Sequence, residues 1–106
     1  MRLLFDQGTP APLRALLTNH EVETVFELGW SALSNGELLS RAEAAGYLGF
    51  VTTDQNLKYQ QHLPSRRIAI AVLLTTSWPR IERHAAAVGG QLDKLSAGSY
   101  VEIAIP

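Results

Sequence analysis

The sequence predicts a single α/β domain, three layers deep, with a mainly parallel sheet of about five strands between helices. Three observations lead there. Short apolar runs alternate with segments of helical period, in the order βαβαβ(α)βαβ. The longest apolar run, Ile68 to Leu74, has no polar alternation, the mark of a strand covered on both faces. The chain has 106 residues, 46% hydrophobic and 18% charged, which suits one domain over 1–106 with a core of its own.

Each element has a local reason. Leu3-Leu4-Phe5 reads as a buried strand ending at Asp6, and Gln7-Gly8 as a turn. Thr9-Pro10 opens a helix, Thr as cap and Pro in the first turn, with Leu13, Leu16 and Leu17 on one face. Val22, Thr24, Val25 and Phe26 suggest a second strand. Ser34 and Glu37 have the spacing of a capping box; Leu38, Leu39, Ala42 and Ala45 follow on one side, and Gly46 closes that helix. Phe50-Val51-Thr52 is a third strand running into Thr53-Asp54-Gln55-Asn56, and Leu57 to His62 forms one or two helical turns before Pro64. After the fourth strand, Ile81, Ala85, Val88, Leu92 and Leu95 mark a helix face, with a kink or split expected at Gly89-Gly90. Val101, Ile103 and Ile105 alternate with Glu102 and Ala104, which predicts a half-exposed edge strand.

Composition narrows the function. The formal net charge is −1, whereas proteins that grip duplex DNA through many phosphates are clearly basic. DNA sequence recognition is therefore not expected, and any nucleic-acid contact must be local or aided by metal ions. The absence of cysteine excludes disulfides, thiolate zinc sites and cysteine nucleophiles, and fits a reducing, cytoplasmic setting. Asp6 interrupts any signal-peptide core. No stretch approaches the roughly 18 apolar residues of a membrane span.

In open α/β sheets, ligands bind outside the carboxyl ends of the strands. There this sequence puts Asp6 after strand one, Glu37 at the start of the helix after strand two, Asp54 after strand three, and Thr75, Thr76 and Ser77 after strand four. Clustered carboxylates repel one another unless a cation joins them. A hard ion, Mg²⁺ or Mn²⁺, prefers such oxygen ligands and can activate water against a phosphodiester. Lys58, Arg66 and Arg67 form a basic group placed near that edge, suited to a phosphate backbone. Each acid also has a purely local use: turn formation at Asp6 and capping at Glu37 and Asp54. His20, His62 and His84 lack ligand spacing and read as solvated. Trp30 and Trp78 read as packing residues or interface anchors.

At Leu3-Leu4-Phe5-Asp6-x-x-x-Pro10, His20-Glu21-Val22 and Val51-Thr52-Thr53-Asp54-x-Asn56, the chain resembles the short PIN-like proteins. These are compact relatives of the PIN ribonucleases, a group that includes toxins of the VapC type. The resemblance covers about residues 1–88. It implies a three-layer PIN-like fold with strands one and three adjacent. It also implies an RNA-hydrolysing, metal-dependent activity in the cytoplasm, with an antitoxin protein or a second copy of the chain as further partners. Carried over by residue, Asp6 and Asp54 would be metal ligands. Glu37, or Asn35 beside it, would be a third ligand or orient water. Asn56 and Thr53 would support them, and Lys58, Arg66 and Arg67 would hold RNA.

The chain departs from the family pattern at three acids. Gln7, Asn35 and Asn56 stand where the family often carries carboxylates, and an amide oxygen brings no charge to a cation. Two further readings therefore stand beside the nuclease. One is a PIN-like interaction module without catalysis. The other is a receiver-like phosphoacceptor with Asp54 at strand three and Thr75 after strand four, although no lysine ends strand five.

Overall fold

A computed structural model describes residues 1–106 of the chain. Its strands are β1 (Arg2–Phe5), β2 (Glu21–Thr24), β3 (Gly49–Thr52), β4 (Ala69–Leu73) and β5 (Tyr100–Ile103). Its α-helices are α1 (Asn35–Ala44), α2 (Leu57–Gln60), α3 (Trp78–Arg83) and α4 (Ala85–Leu92), with 3-10 helices at Ala11–Leu16 and Leu63–Ser65. All five strands run parallel in the order β2-β1-β3-β4-β5. The expected α/β architecture holds: β1 and β3 are neighbours, and β5 is an edge strand.

Period-two alternation divides the core between the faces of the sheet. Leu3, Phe5, Val51, Ala69, Ala71 and Leu73 point to one face, under Leu13 and Leu17 of the first 3-10 segment and Ile81, Val88 and Leu92 of α3 and α4. Leu4, Phe50, Ile70 and Val72 point to the other, under Leu38, Leu39 and Ala42 of α1 and Leu57 of α2. Each such leucine, isoleucine or phenylalanine contributes about 1.5–3 kcal/mol when taken from water. Gly49 lies at a tight crossing of β1 and β3: a Cβ there would stand 2.8 Å from Leu3 Cδ2. No helix is long and apolar enough to cross a membrane.

Three local expectations are corrected. The segment after Asp6 is a six-residue 3-10 helix and not an α-helix. Pro10 occupies its cap position, Pro12 in its first turn has no N–H, and the Thr9 hydroxyl donates to the Val51 carbonyl at 2.8 Å instead of capping. Leu16 is left 48% exposed. The late helix divides at His84 (φ −114°, ψ 21°), not at Gly89-Gly90, which lie inside α4. A Cβ at Gly89 would make an ordinary 3.4 Å contact with Leu17 Cδ2, so α4 passes close to the first 3-10 segment there. His20 is not solvated: its side chain is only 3% exposed, with Nε2 2.5 Å from the Asp93 carboxylate. Asn19 Nδ2 donates to the same Asp93 oxygen at 3.0 Å.

Trp30 and Trp78 pack against the two halves of the core as expected, Trp30 meeting Tyr47 edge to face with ring centroids 6.4 Å apart. Tyr47 also lies under the Arg2 guanidinium, 4.3 Å from ring centre to Arg2 Cζ. Burial, and then the nearby Glu23 carboxylate, push the Tyr47 hydroxyl up to about 12.

Candidate functional site

The sheet order reverses direction between β1 and β3, because the chain adds β2 on one side of β1 and β3 on the other. Such a switch point opens a crevice at the carboxyl ends of the two strands. Asp6 directly follows β1, and Asp54 follows β3 by two residues. The two acids therefore flank this crevice, a placement the sequence could give only as a shared edge.

Thr52, the last residue of β3 and fully buried, joins them. Its hydroxyl donates to Asp6 Oδ2 at 2.8 Å and accepts from the Asp54 backbone N–H at 3.0 Å. Asp6 Oδ1 accepts the Gln7 N–H at 2.9 Å, and Asp54 Oδ1 accepts the Asn56 N–H at 2.9 Å. Each carboxylate is oriented by its own loop, yet neither has a cationic side chain as partner. A carboxylate oxygen offers more acceptor positions than one bond uses, so both acids keep oxygen lone pairs for a further ligand. The two loops are pressed together: a Cβ on Gly8 would lie 2.5 Å from Thr53 Oγ1. Thr53 thus supports the site by packing under the Gly8 turn.

The third acid behaves differently. Ser34 Oγ accepts the Glu37 N–H at 3.3 Å and donates to Glu37 Oε1 at 3.2 Å. Glu37 is engaged locally at the start of α1, the capping use of this residue. Asn35 Nδ2 donates to Gln60 Oε1 at 2.9 Å, tying α1 to α2. Asn56 precedes α2 and is exposed. No three acidic or histidine side chains stand close enough to hold one ion together.

The predicted basic group does not assemble at this edge. Lys58 Nζ is paired with Glu102 of β5 at 2.8 Å. Arg66 and Arg67 precede β4, which in a parallel sheet puts their backbones at the opposite, amino-terminal end. The Arg66 guanidinium runs back along α1, meeting Ser40 Oγ at 2.9 Å and Glu43 at 3.2 Å. The other Glu43 oxygen accepts the N–H groups of Arg67 at 2.5 Å and Ile68 at 3.2 Å. Burial pushes the Glu43 carboxyl up, but these two N–H groups and Arg66 outweigh it and hold it below the usual glutamate value.

Sequence reasoning missed one residue at the carboxyl edge. Asp6, Gln7, Thr9, Ala11, Thr24 and Phe26 line a shallow concavity beside Asp6. Phe26 is 76% exposed there: the sequence suggests a second strand through Phe26, but β2 ends at Thr24 and Phe26 lies in the turn that follows. Compared with known proteins, the chain matches no family model, no curated protein and no solved structure.

Proposed function

We propose that the β1/β3 crevice is a one-cation phosphodiester site and that the chain is a PIN-like endoribonuclease. The observation that carries this reading is the Thr52 hydroxyl, which bonds the Asp6 carboxylate and the Asp54 backbone N–H and so ties together the two loops that present carboxylates without a cationic partner at the sheet's switch point. The donor set suits Mg²⁺ or Mn²⁺: oxygen only, anionic, with no nitrogen or sulfur ligand in the pair. When bound, such an ion lowers the pKa of coordinated water and offsets charge on a phosphoryl oxygen. Asp6 and Asp54 would hold it. Thr52 would keep the Asp6 carboxylate turned toward the crevice, and Thr53 would hold the Gly8 turn against β3. Glu37 is engaged at Ser34 and contributes at most through the solvent at the edge.

A second reading, an interaction module without catalysis, is favoured by Gln7, Asn35 and Asn56 and by the lack of a third converging acid. An antitoxin-like partner is compatible with either reading. The strand order is also that of receiver-like domains, and uptake of phosphate from acetyl phosphate on Asp54 would redirect the assignment to that class.

The deciding experiment is Mn²⁺ calorimetry on the wild type and on the Asp6→Asn/Asp54→Asn double variant, followed by RNA cleavage assays. Micromolar binding that the double variant loses is expected. An absence of binding at millimolar Mn²⁺ would overturn the nuclease reading in favour of the interaction module.

A further inference from the structure

The concavity beside Asp6 has an unusual lining. Phe26 stands 76% exposed among Asp6, Gln7, Thr9 and Thr24, with Ala11 the one other apolar residue. Its backbone is fixed from several directions. The Val25 N–H donates to the Phe5 carbonyl at 2.9 Å and the Trp30 N–H to the Val25 carbonyl at 3.0 Å. Thr24 and Glu27 exchange bonds, Thr24 N–H to Glu27 Oε1 at 2.9 Å and Glu27 N–H to Thr24 Oγ1 at 3.1 Å. Val25 is buried in the core, so the turn that carries Phe26 is anchored by its neighbour. An aromatic ring is thus held open to solvent on a rigid turn, at the end of the strand next to the one that carries Asp6.

We propose that this concavity is a base-binding subsite, in which the Phe26 ring stacks on one unpaired base of a single-stranded nucleic acid. The inference rests on the reading of the neighbouring Asp6–Asp54 crevice as a phosphodiester site, and it names the form of the substrate. Phe26 and Asp6 line the same concavity, so a base on Phe26 leaves its own backbone within reach of Asp6. A base presents a π-face to the ring and polar edges to the exposed Gln7 amide, and the mixed lining supplies both. An apolar protein partner needs a broader apolar core than Phe26 and Ala11 provide. Because the net charge is −1 and Lys58 and Arg66 are paired internally, the proposed contact is local, with stacking and not phosphate neutralisation as its main term. A paired base cannot offer its face, so duplex is excluded.

The test uses the full chain with a labelled single-stranded oligoribonucleotide of about eight residues, and the same sequence as a duplex, read by fluorescence anisotropy. Titrations run in EDTA and in Ca²⁺, so that binding is measured without cleavage. Phe26→Ala should weaken single-strand binding about tenfold, Phe26→Trp should restore it, and the duplex should bind more weakly than the single strand. The salt dependence should be shallow, because few phosphates are neutralised. Equal affinity of the wild type and Phe26→Ala overturns the subsite, as does a loss that is the same for duplex and single strand. Such a failure leaves the Mn²⁺ result on Asp6→Asn/Asp54→Asn standing. Absence of Mn²⁺ binding by the wild type at millimolar concentration, together with Phe26-dependent binding of the single strand in EDTA, would overturn the cation reading alone.

Discussion

The two ends of the parallel sheet are built on opposite terms. At the amino-terminal end, charged groups are tied to partners from distant elements. Arg2 donates to the Ala45 carbonyl and to Glu23 and covers Tyr47; Glu43 gathers Arg66 and the N–H groups of Arg67 and Ile68; Asp93 holds His20 and Asn19. At the carboxyl-terminal end Glu27 is paired with Arg14 and Glu102 with Lys58, but Asp6 and Asp54 accept bonds only from neutral groups, and Phe26 faces water. The first end spends its polar groups on closing the fold. The second leaves two carboxylates and an aromatic face without such partners, and these are the groups the proposed ligand would meet.

The sharpest way to break this contrast is to remove Glu43. Its side chain is 13% exposed and that of Arg66 18%, so Glu43→Ala leaves a largely buried guanidinium and two N–H groups without their acceptor. A loss of about 3 kcal/mol is expected in urea denaturation, with the Asp6–Asp54 edge unaffected in geometry. The pH dependence follows the same residue. Its folded-state carboxyl is held below the ordinary value of 4.5, so the unfolded chain binds the proton more readily. That stability is fully present above about pH 4.5 and is lost as pH falls through the lower folded value. Glu43→Gln should flatten this acid limb.

Next in size is Gly8→Ala. Its Cβ would meet Thr53 Oγ1 at 2.5 Å, and about 1–3 kcal/mol of destabilisation is expected from overpacking. Thr53→Ala removes that oxygen, and the double variant should recover most of the loss. A cycle without such coupling would show that the two loops are not in contact. The smallest effects belong to the open end. Asp6→Asn retains an acceptor for Thr52 and should change stability by less than about 1 kcal/mol, and Phe26→Ala by less than about 0.5 kcal/mol. Large losses at these two positions would erase the distinction between the ends.

Much of this arrangement was legible from the residues in order. β1 and β4 were visible because their burial is complete: Leu3 to Phe5 and Ile68 to Leu73 leave little else for the chain to do. The acidic edge followed from topology, since residues after parallel strands share one end. What escaped was decided by partners distant in sequence. Lys58 is neutralised by Glu102 and Arg66 by Glu43, and no local pattern announces such pairs. Arg66 and Arg67 were assigned to the wrong end because they were read as near the edge, when they precede β4 and do not follow it. His20 was read as solvated because its acceptor, Asp93, lies beyond the last helix. Helix type was misjudged after Asp6, where two prolines in three residues favour the tighter winding.

The strand order β2-β1-β3-β4-β5 has a consequence for how the chain assembles on the ribosome. β2 docks beside β1, β3 takes the free side of β1, and β4 and β5 then extend the growing border one at a time. No strand has to be inserted between two that are already paired. Each newly emerged segment meets an available border formed by residues made before it, so the nascent domain can grow outward from its first strand in step with synthesis.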